Sequence, residues 1–199
     1  SVKMNGQRLN STTNLAKQIR IREDQTLGDF DDNGVAEKVM YRPSTNTWLI
    51  HYGTDSDNDG KIDSETRKFG KSTDTPLFMD ADGDHRSDIA VYRPSTSTWY
   101  MLLSSSGYTL TRTVQWGLAG DLPVPGDYDG DDKTDIAVFR PATGHWYAFL
   151  SSGGSRTKAI AGDPANLLSR QWGLSTHEPI PNADRDGDGR DDLIVFDPQ

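Results

Sequence analysis

The chain has 199 residues, 33% of them apolar, and a formal net charge of −9 at pH 7. That length allows one sizeable core or a set of small repeated sheets. The acidic balance argues against nucleic acid as a partner, because nucleic-acid binding requires a basic stripe. No apolar run approaches the roughly 18 residues that cross a bilayer, so we expect no membrane insertion. The absence of cysteine excludes disulfides and thiolate metal sites.

Residues 1–24 contain two candidate strands, 2–9 and 15–22, separated by a turn-forming segment. After them the chain repeats one sequence unit four times, over about residues 25–74, 75–121, 122–177 and 178–199. The acidic loops of these units begin at Asp29, Asp80, Asp127 and Asp184, which are 51, 47 and 57 residues apart (80−29, 127−80, 184−127). A nearly fixed period of this size is typical of propeller blades or stacked repeats.

Each unit has the same order of predicted elements. A short segment with Pro or Gly precedes the acidic loop, and a β-branched apolar strand follows it. A turn then leads to an aromatic strand that starts at Trp48, Trp99 or Trp146, and the last strand ends in an aromatic residue and a glycine. Four short antiparallel strands in about 50 residues make one propeller blade. The sequence therefore predicts an all-β fold, a β-propeller of four-stranded antiparallel blades.

The fourth unit reaches only its second strand before Gln199, while the two strands predicted in residues 1–24 belong to no unit. We therefore expect residues 1–24 to supply the outer strands of the blade begun by 178–199, which gives a ring of four blades in a single domain. Pairing of the two ends would also remove exposed sheet edges. The alternative is a fragment of a longer propeller, cut within a blade.

Each acidic loop places oxygen-bearing side chains at positions 1, 3, 5 and 9. A hard cation such as Ca²⁺ takes about six to eight oxygen ligands, and a tight loop can direct alternate side chains to one centre. A backbone carbonyl at position 7 and water would complete the set. The expected side-chain ligands are Asp29, Asp31, Asn33 and Glu37; Asp80, Asp82, Asp84 and Asp88; Asp127, Asp129, Asp131 and Asp135; and Asp184, Asp186, Asp188 and Asp192. The expected carbonyl ligands are those of Val35, Arg86, Lys133 and Arg190.

A fifth acidic loop, residues 55–63, is inserted into the first unit. Its predicted ligands are Asp55, Asp57, Asp59, Asp63 and the carbonyl of Lys61. Gly60 occupies the sharp-turn position 6, as in an EF-hand loop. Position 12 is Thr66 and not a bidentate glutamate, and no amphipathic helix flanks the loop, which favours a structural calcium site over a switching EF-hand. The alternative is a solvated acidic hairpin tip.

We expect four to five Ca²⁺ ions in total. Five divalent ions would add ten positive charges to the net charge of −9, so the loaded protein would be close to neutral. Without ions the crowded carboxylates of each loop repel one another, and an ion would fix the loop and the register of the two strands that it joins. Loops of this kind fill where calcium is millimolar, so we expect a secreted, extracellular or cell-surface location.

These repeated features resemble the FG-GAP (VCBS) repeat. The resemblance is carried by the Asp-x-Asp-Gly-Asp loop, the Ile-Ala-Val-Tyr/Phe-Arg-Pro segment after it and the Gln-Trp-Gly segment that ends a unit, which recur in the same order over about residues 25–199. Such repeats are common in secreted and surface bacterial proteins and are similar to the blades of integrin α-chain propellers. The resemblance implies propeller blades that bind calcium, through the loop residues named above, between the first and second strands of a blade. It does not identify a ligand.

The expected function is non-catalytic recognition or adhesion, with an extracellular glycan or protein as partner. The tryptophans could stack on sugar rings, but their repeat-equivalent positions favour packing between blades; they are Trp48, Trp99, Trp116, Trp146 and Trp172. The variable loops 104–108 and 151–164 differ between units and are the expected partner contacts. The alternatives are a propeller domain of an extracellular polysaccharide-active enzyme and a purely structural scaffold.

We expect no catalytic site. Nearly every carboxylate pair belongs to a metal loop, and the histidines His51, His85, His145 and His177 have no zinc-site spacing. The sequence also contains no nucleophile-elbow or phosphate-loop motif. A calcium sensor is disfavoured because no helix flanks a loop and no glutamate occupies position 12. The sequence leaves the oligomeric state open.

Overall fold

The computed structural model of the chain describes residues 28–56, 58–152 and 167–198. In these residues it contains thirteen β-strands and one short 3₁₀ helix, Ser104–Ser106. The strands form four separate sheets in which each neighbouring pair runs antiparallel. The predicted all-β class is therefore confirmed. No helix in the described residues is long and apolar enough to span a membrane.

Each sheet takes its strands from one of the repeated units. The first unit contains β1 Lys38–Arg42, β2 Thr47–His51 and β3 Ser64–Lys68. The second contains β4 Thr75–Met79, β5 Asp88–Arg93, β6 Thr98–Leu102 and β7 Thr111–Gln115. The third contains β8 Leu122–Pro123, β9 Ile136–Arg140, β10 His145–Phe149 and β11 Leu167–Gln171. The fourth contains β12 Glu178–Ile180 and β13 Ile194–Phe196. Strands adjacent in sequence are adjacent in each sheet.

The ring predicted from the repeats is not detected in the described residues. Strands β12 and β13 pair only with each other there, and no sheet combines strands of the fourth and first units. Residues 1–24, which were expected to complete the fourth sheet, lie outside the described part of the chain, as do residues 25–27 of the first strand expected in the first unit. Ring closure therefore stays a prediction.

The core lies between successive sheets and not within any one of them. The apolar residues of β5 and β9 are buried on both faces, which is the pattern of a strand covered by a neighbouring sheet on each side. Three buried clusters join the units in order. Trp48 and Ile50 pack with Ile89 and Val91, Tyr92 and Trp99 with Ile136 and Val138, and Phe139 and Trp146 with Leu193 and Val195.

Tryptophans anchor these clusters. Trp48, Trp99 and Trp146 are buried, and each indole N–H donates to a carbonyl just after the last strand of its own unit, at 3.2, 3.1 and 2.8 Å. Trp116 instead reaches the next unit, where its ring lies 5.6 Å from that of Phe149. The packing role expected for the tryptophans is thus confirmed for these four. Trp172, by contrast, is 57% exposed.

An arginine–aspartate pair joins each of the second and third units to the last residue of the unit before it. Arg93 at the end of β5 donates two hydrogen bonds to Asp74, at 2.9 and 2.8 Å, and Arg140 at the end of β9 donates two to Asp121, at 2.8 and 2.9 Å. Both carboxylates are buried, and the paired donors satisfy both of their oxygens. This pair explains why arginine recurs after the apolar strand.

The first unit has an outer face that no described unit covers. Lys38 and Met40 of β1 are exposed, Met40 by 56%. Their counterparts Ile89 and Val91 in β5 are fully buried against the preceding unit. The first unit therefore carries a charged residue at a position where the second has an apolar one.

Removing a buried tryptophan should destabilise the protein far more than removing the exposed one. We expect Trp99→Ala to lower the free energy of unfolding by about 3–5 kcal/mol, because it leaves a large cavity between two sheets. Trp172→Ala is the matched control and should change it by about 0.5 kcal/mol or less. Urea unfolding followed by far-ultraviolet circular dichroism measures both. Equal losses would contradict a core located between the sheets.

Candidate metal centres

The structure brings acidic side chains together in all four repeated loops. In each loop the residues at positions 1, 3 and 9 offer carboxylate oxygens that lie within 4.8 Å of one another. The four groups are Asp29, Asp31 and Glu37; Asp80, Asp82 and Asp88; Asp127, Asp129 and Asp135; and Asp184, Asp186 and Asp192. These clusters could hold a metal ion.

The carboxylate at position 1 organises each loop from within. Asp80 accepts hydrogen bonds from the backbone N–H groups of Gly83 (2.7 Å) and His85 (2.9 Å). Asp127 accepts the equivalent bonds from Gly130 (2.6 Å) and Asp132 (2.9 Å). Gly83 and Gly130 have φ values of +79° and +78°, a conformation that glycine adopts without strain. The resulting tight turn directs positions 3 and 9 toward position 1.

The carboxylate at position 9 is the most deeply buried member of the second and third clusters. Asp88 and Asp135 are the last loop residues before the apolar core of β5 and β9, and both are fully buried. Each accepts a backbone N–H from position 2 of its own loop, at 2.9 Å in both loops. Burial raises the pKa of Asp88 to about 6 and that of Asp135 to about 8, and it raises the pKa of Glu37 in the first loop to about 7.

Serine pairs from the end of the aromatic strand brace the second and third loops. In the second unit the Ser104 hydroxyl donates to Asp84 (2.8 Å) and the Ser105 hydroxyl to Asp82 (2.5 Å). In the third unit Ser151 donates to Asp131 and Ser152 to Asp129, at 2.8 and 2.7 Å. The backbone N–H groups of Ser104 and Ser151 also donate to Asp88 and Asp135, at 2.7 and 2.6 Å.

The sequence analysis missed these serines, although a Leu-Ser-Ser segment recurs directly after both aromatic strands. It assigned loops 104–108 and 151–164 to partner contacts. The structure places Ser104, Ser105, Ser151 and Ser152 against the acidic loops, and the partner contacts stay a prediction. Residues 153–164 lie outside the described part of the chain.

The second cluster fits a cation on two grounds. Asp82 Oδ1 is shielded from solvent and accepts no hydrogen bond, so a ligand-type oxygen stays without a partner inside the cluster. None of the ion pairs of the described residues involves Asp80, Asp82 or Asp88. The arginine of this loop, Arg86, pairs with Asp84. A site built only from oxygen donors suits a hard divalent cation.

The ligand role predicted for position 5 stays a prediction. The acids there are absent from the groups of converging carboxylates. Each position-5 side chain accepts the N–H of position 7 in its own loop, at 2.8–3.1 Å. The residues concerned are Asn33, Asp84, Asp131 and Asp188, with Val35, Arg86, Lys133 and Arg190 as the respective donors. The predicted carbonyl ligands at position 7 stay a prediction.

The fifth acidic loop repeats the same hydrogen bonds. Asp55 accepts from the N–H groups of Asp59 and Gly60, at 3.0 and 2.9 Å, and Asp63 accepts from that of Ser56 at 2.8 Å. The N–H of Lys61 donates to Asp59 at 2.8 Å. The remaining predicted ligand, Asp57, lies outside the described residues. A metal site in this loop therefore stays a prediction.

Comparison of the chain with protein-family models, curated proteins and solved structures gave no match.

The raised pKa values predict how the stability of the metal-free protein depends on pH. An unfolded aspartate has a pKa of about 3.9, so between about pH 4 and pH 8 the folded chain binds more protons than the unfolded one. In the presence of a chelator we therefore expect the free energy of unfolding to increase as the pH falls from about 8.5 to about 6. Urea titrations in EDTA measure this slope.

The variant Asp135→Asn provides the control for that slope, because its amide does not titrate. It should make the dependence on pH shallower, since the group with the highest raised pKa is removed. A metal-free protein that loses stability as the pH falls over this range would contradict the burial argument.

Proposed function

We propose that the chain is a calcium-stabilised, non-catalytic β-propeller module of a secreted or cell-surface protein, and that it binds an extracellular glycan or protein. The observation that carries the proposal is the convergence of three carboxylates in each of four repeated loops. The cation proposed is Ca²⁺, because flexible loops rich in carboxylates and carbonyls match its need for about six to eight oxygens. The count proposed is four ions, or five with the loop at 55–63.

A propeller arrangement is supported by the order of packing. The four antiparallel sheets contact one another in sequence through three similar clusters, as successive blades do. In the second unit the acidic loop lies between β4 and β5, the first and second strands of its sheet. That is the position in which the resemblance to FG-GAP repeats implies a calcium site.

Calcium would act here on folding and not on a reaction. Two carboxylates about 4–5 Å apart repel by about 1–4 kcal/mol at effective dielectrics of about 20–80, and each loop crowds three of them. A bound cation replaces this repulsion between carboxylates with attraction, and it fixes the loop that links two strands. Ligand-linked stabilisation is about 2.7 kcal/mol per site when free calcium is about a hundredfold above the Kd. Several such sites would rival the whole stability of a typical domain, about 5–15 kcal/mol.

A recognition role is supported by exposed apolar side chains that the cores do not use. Trp172 and Leu174 follow β11 and are 57% and 61% exposed. Tryptophan offers a large rigid face for stacking on a sugar ring or for burial in a protein interface. Sites that fill at millimolar calcium also match an extracellular setting.

Calcium binding is tested by counting ions in two charge-matched variants. Asp129→Asn removes a clustered carboxylate and should lose one bound ion. It should also lower the melting temperature in calcium, because the third loop loses its cation. Asp132→Asn removes the same charge at an exposed position of that loop outside the cluster, and it should keep the full ion count. Isothermal titration calorimetry and elemental analysis measure the count. A wild-type chain that binds no calcium would overturn the proposal.

Recognition is tested by a glycan array with calcium and with chelator. We expect retention of a glycan class in calcium and its loss on chelation, because the loops that order the sheets lose their ions. Trp172→Ala should weaken that retention, whereas Leu118→Ala, which removes the exposed counterpart of Leu174 in the second unit, should not. Absence of retention by wild type on glycans and on candidate extracellular proteins would leave a scaffold role.

A further inference from the structure

Neighbouring acidic loops are joined by a pair of hydrogen bonds at position 8. Thr134, position 8 of the third loop, lies against Asp80, position 1 of the second. Its hydroxyl accepts the N–H of Asp80 at 2.9 Å in a buried bond, and its own N–H donates to the Asp80 carbonyl at 2.7 Å. The backbone N–H and carbonyl of Asp80, an expected ligand, are therefore both hydrogen-bonded to a residue 54 positions away.

A similar pair recurs between the other neighbouring loops, although Ser87 binds the N–H of Gly28, one residue before position 1. The Ser87 hydroxyl accepts the N–H of Gly28 at 2.6 Å, and the Ser87 N–H donates to the carbonyl of Asp29 at 2.6 Å. The Asp191 carboxylate accepts the N–H of Asp127 at 2.7 Å, and the Asp191 N–H donates to the Asp127 carbonyl at 2.7 Å. Three different residue types thus make one contact, in which position 8 of each loop holds the start of the preceding loop.

Close packing supports these contacts independently. A Cβ on Gly83 would lie 2.6 Å from Lys133 Cε, because position 7 of the third loop crosses position 4 of the second. Arg190 crosses Gly130 in the same way, at 3.3 Å. A Cβ on Gly126 would lie 2.7 Å from the Asp191 carboxylate, so a glycine lies where the longest of the three position-8 side chains needs space.

We propose that Ser87, Thr134 and Asp191 are positioning residues that couple calcium binding in adjacent loops. The proposal rests on the proposed calcium sites. Thr134 lies between two expected ligands of its own loop, the carbonyl of Lys133 and the carboxylate of Asp135. An ion in the third loop fixes both neighbours, and so it fixes the donor and acceptor that hold Asp80. The second loop then has less disorder to lose when it binds its own ion, which is positive coupling.

The coupling runs through the loops in a fixed order. Loop 184–192 holds 127–135, which holds 80–88, which holds 29–37. Position 8 of the first loop is Ala36, whose side chain has no hydrogen-bond acceptor. The relay of side-chain contacts therefore ends at the first unit. By linkage, each site should affect the affinity of its neighbour reciprocally.

The test is a calcium titration of the full chain in which each loop is followed separately. The backbone amides of Gly83 and Gly130 donate to Asp80 and Asp127, so their nitrogen–proton NMR signals report on the second and third loops. In wild type we expect an ion in the third loop to tighten calcium binding in the second. Asp129→Asn, which disables the third site, should weaken calcium binding reported by Gly83 about twofold to tenfold, the range expected for one neutral hydrogen bond.

Thr134→Val keeps the side-chain shape but removes the acceptor, and it should weaken the Gly83 site by a similar factor. In the combined variant the two losses should not add, because both act through the same contact. Thr134→Ser restores a hydroxyl and should behave as wild type, as should Thr113→Val, a matched change on the exposed face of β7. Ser87→Ala supplies a second case, with the Gly34 amide reporting on the first loop.

The outcomes separate this proposal from the one it rests on. If calcium binds but the Gly83 site is unaffected by Asp129→Asn and by Thr134→Val, the sites are independent and the coupling proposal is wrong. If neither loop of the wild-type chain binds calcium, the proposed function fails. Additive losses in the combined variant would show that Thr134 supports the fold without linking the sites, and would also overturn the coupling proposal.

Discussion

The burial of like-charged carboxylates at the start of the apolar strands is the constraint on which the other features depend. Asp88 and Asp135 are removed from water at the point where a loop becomes a core strand. A buried charge is costly unless a proton, a cation or several donors compensate it. Backbone and serine donors supply part of that compensation, and the raised pKa values show that they leave it incomplete. The protonation or ion occupancy of these loops therefore affects the stability of the strands that follow them.

The sheets depend on their neighbours as much as on their own strands. Each unit contributes only a few apolar side chains to a cluster, and each cluster is completed by the next unit. The position-8 contacts add a polar connection between the same units, beside the apolar one. Stability in such an arrangement depends on the interfaces between repeats as well as on each repeat.

The sequence predicted the strands from their runs of β-branched and aromatic residues, and it predicted the convergence of positions 1, 3 and 9 from the geometry of a tight loop. The ligand role predicted for position 5 stays a prediction, because Asp84 and Asp131 also accept the N–H two residues on, a local hydrogen bond that spacing does not reveal. Ser104 and Ser151 were missed because strand pairing, not proximity in sequence, brings them to the loops. The position-8 residues share hydrogen-bonding capacity and not identity, so a search for a repeated residue type does not find them.

One face of the first unit is covered by no described unit, and this face affects how copies of the chain can associate. A stack of repeats whose last face fits its first can add subunits head to tail and grow into a filament. Lys38 places an ammonium group where the second unit has a buried isoleucine. Burying that surface against another copy would remove the water that solvates the charge, which is costly. A charged side chain on this face of the first unit therefore opposes its burial against another copy of the chain.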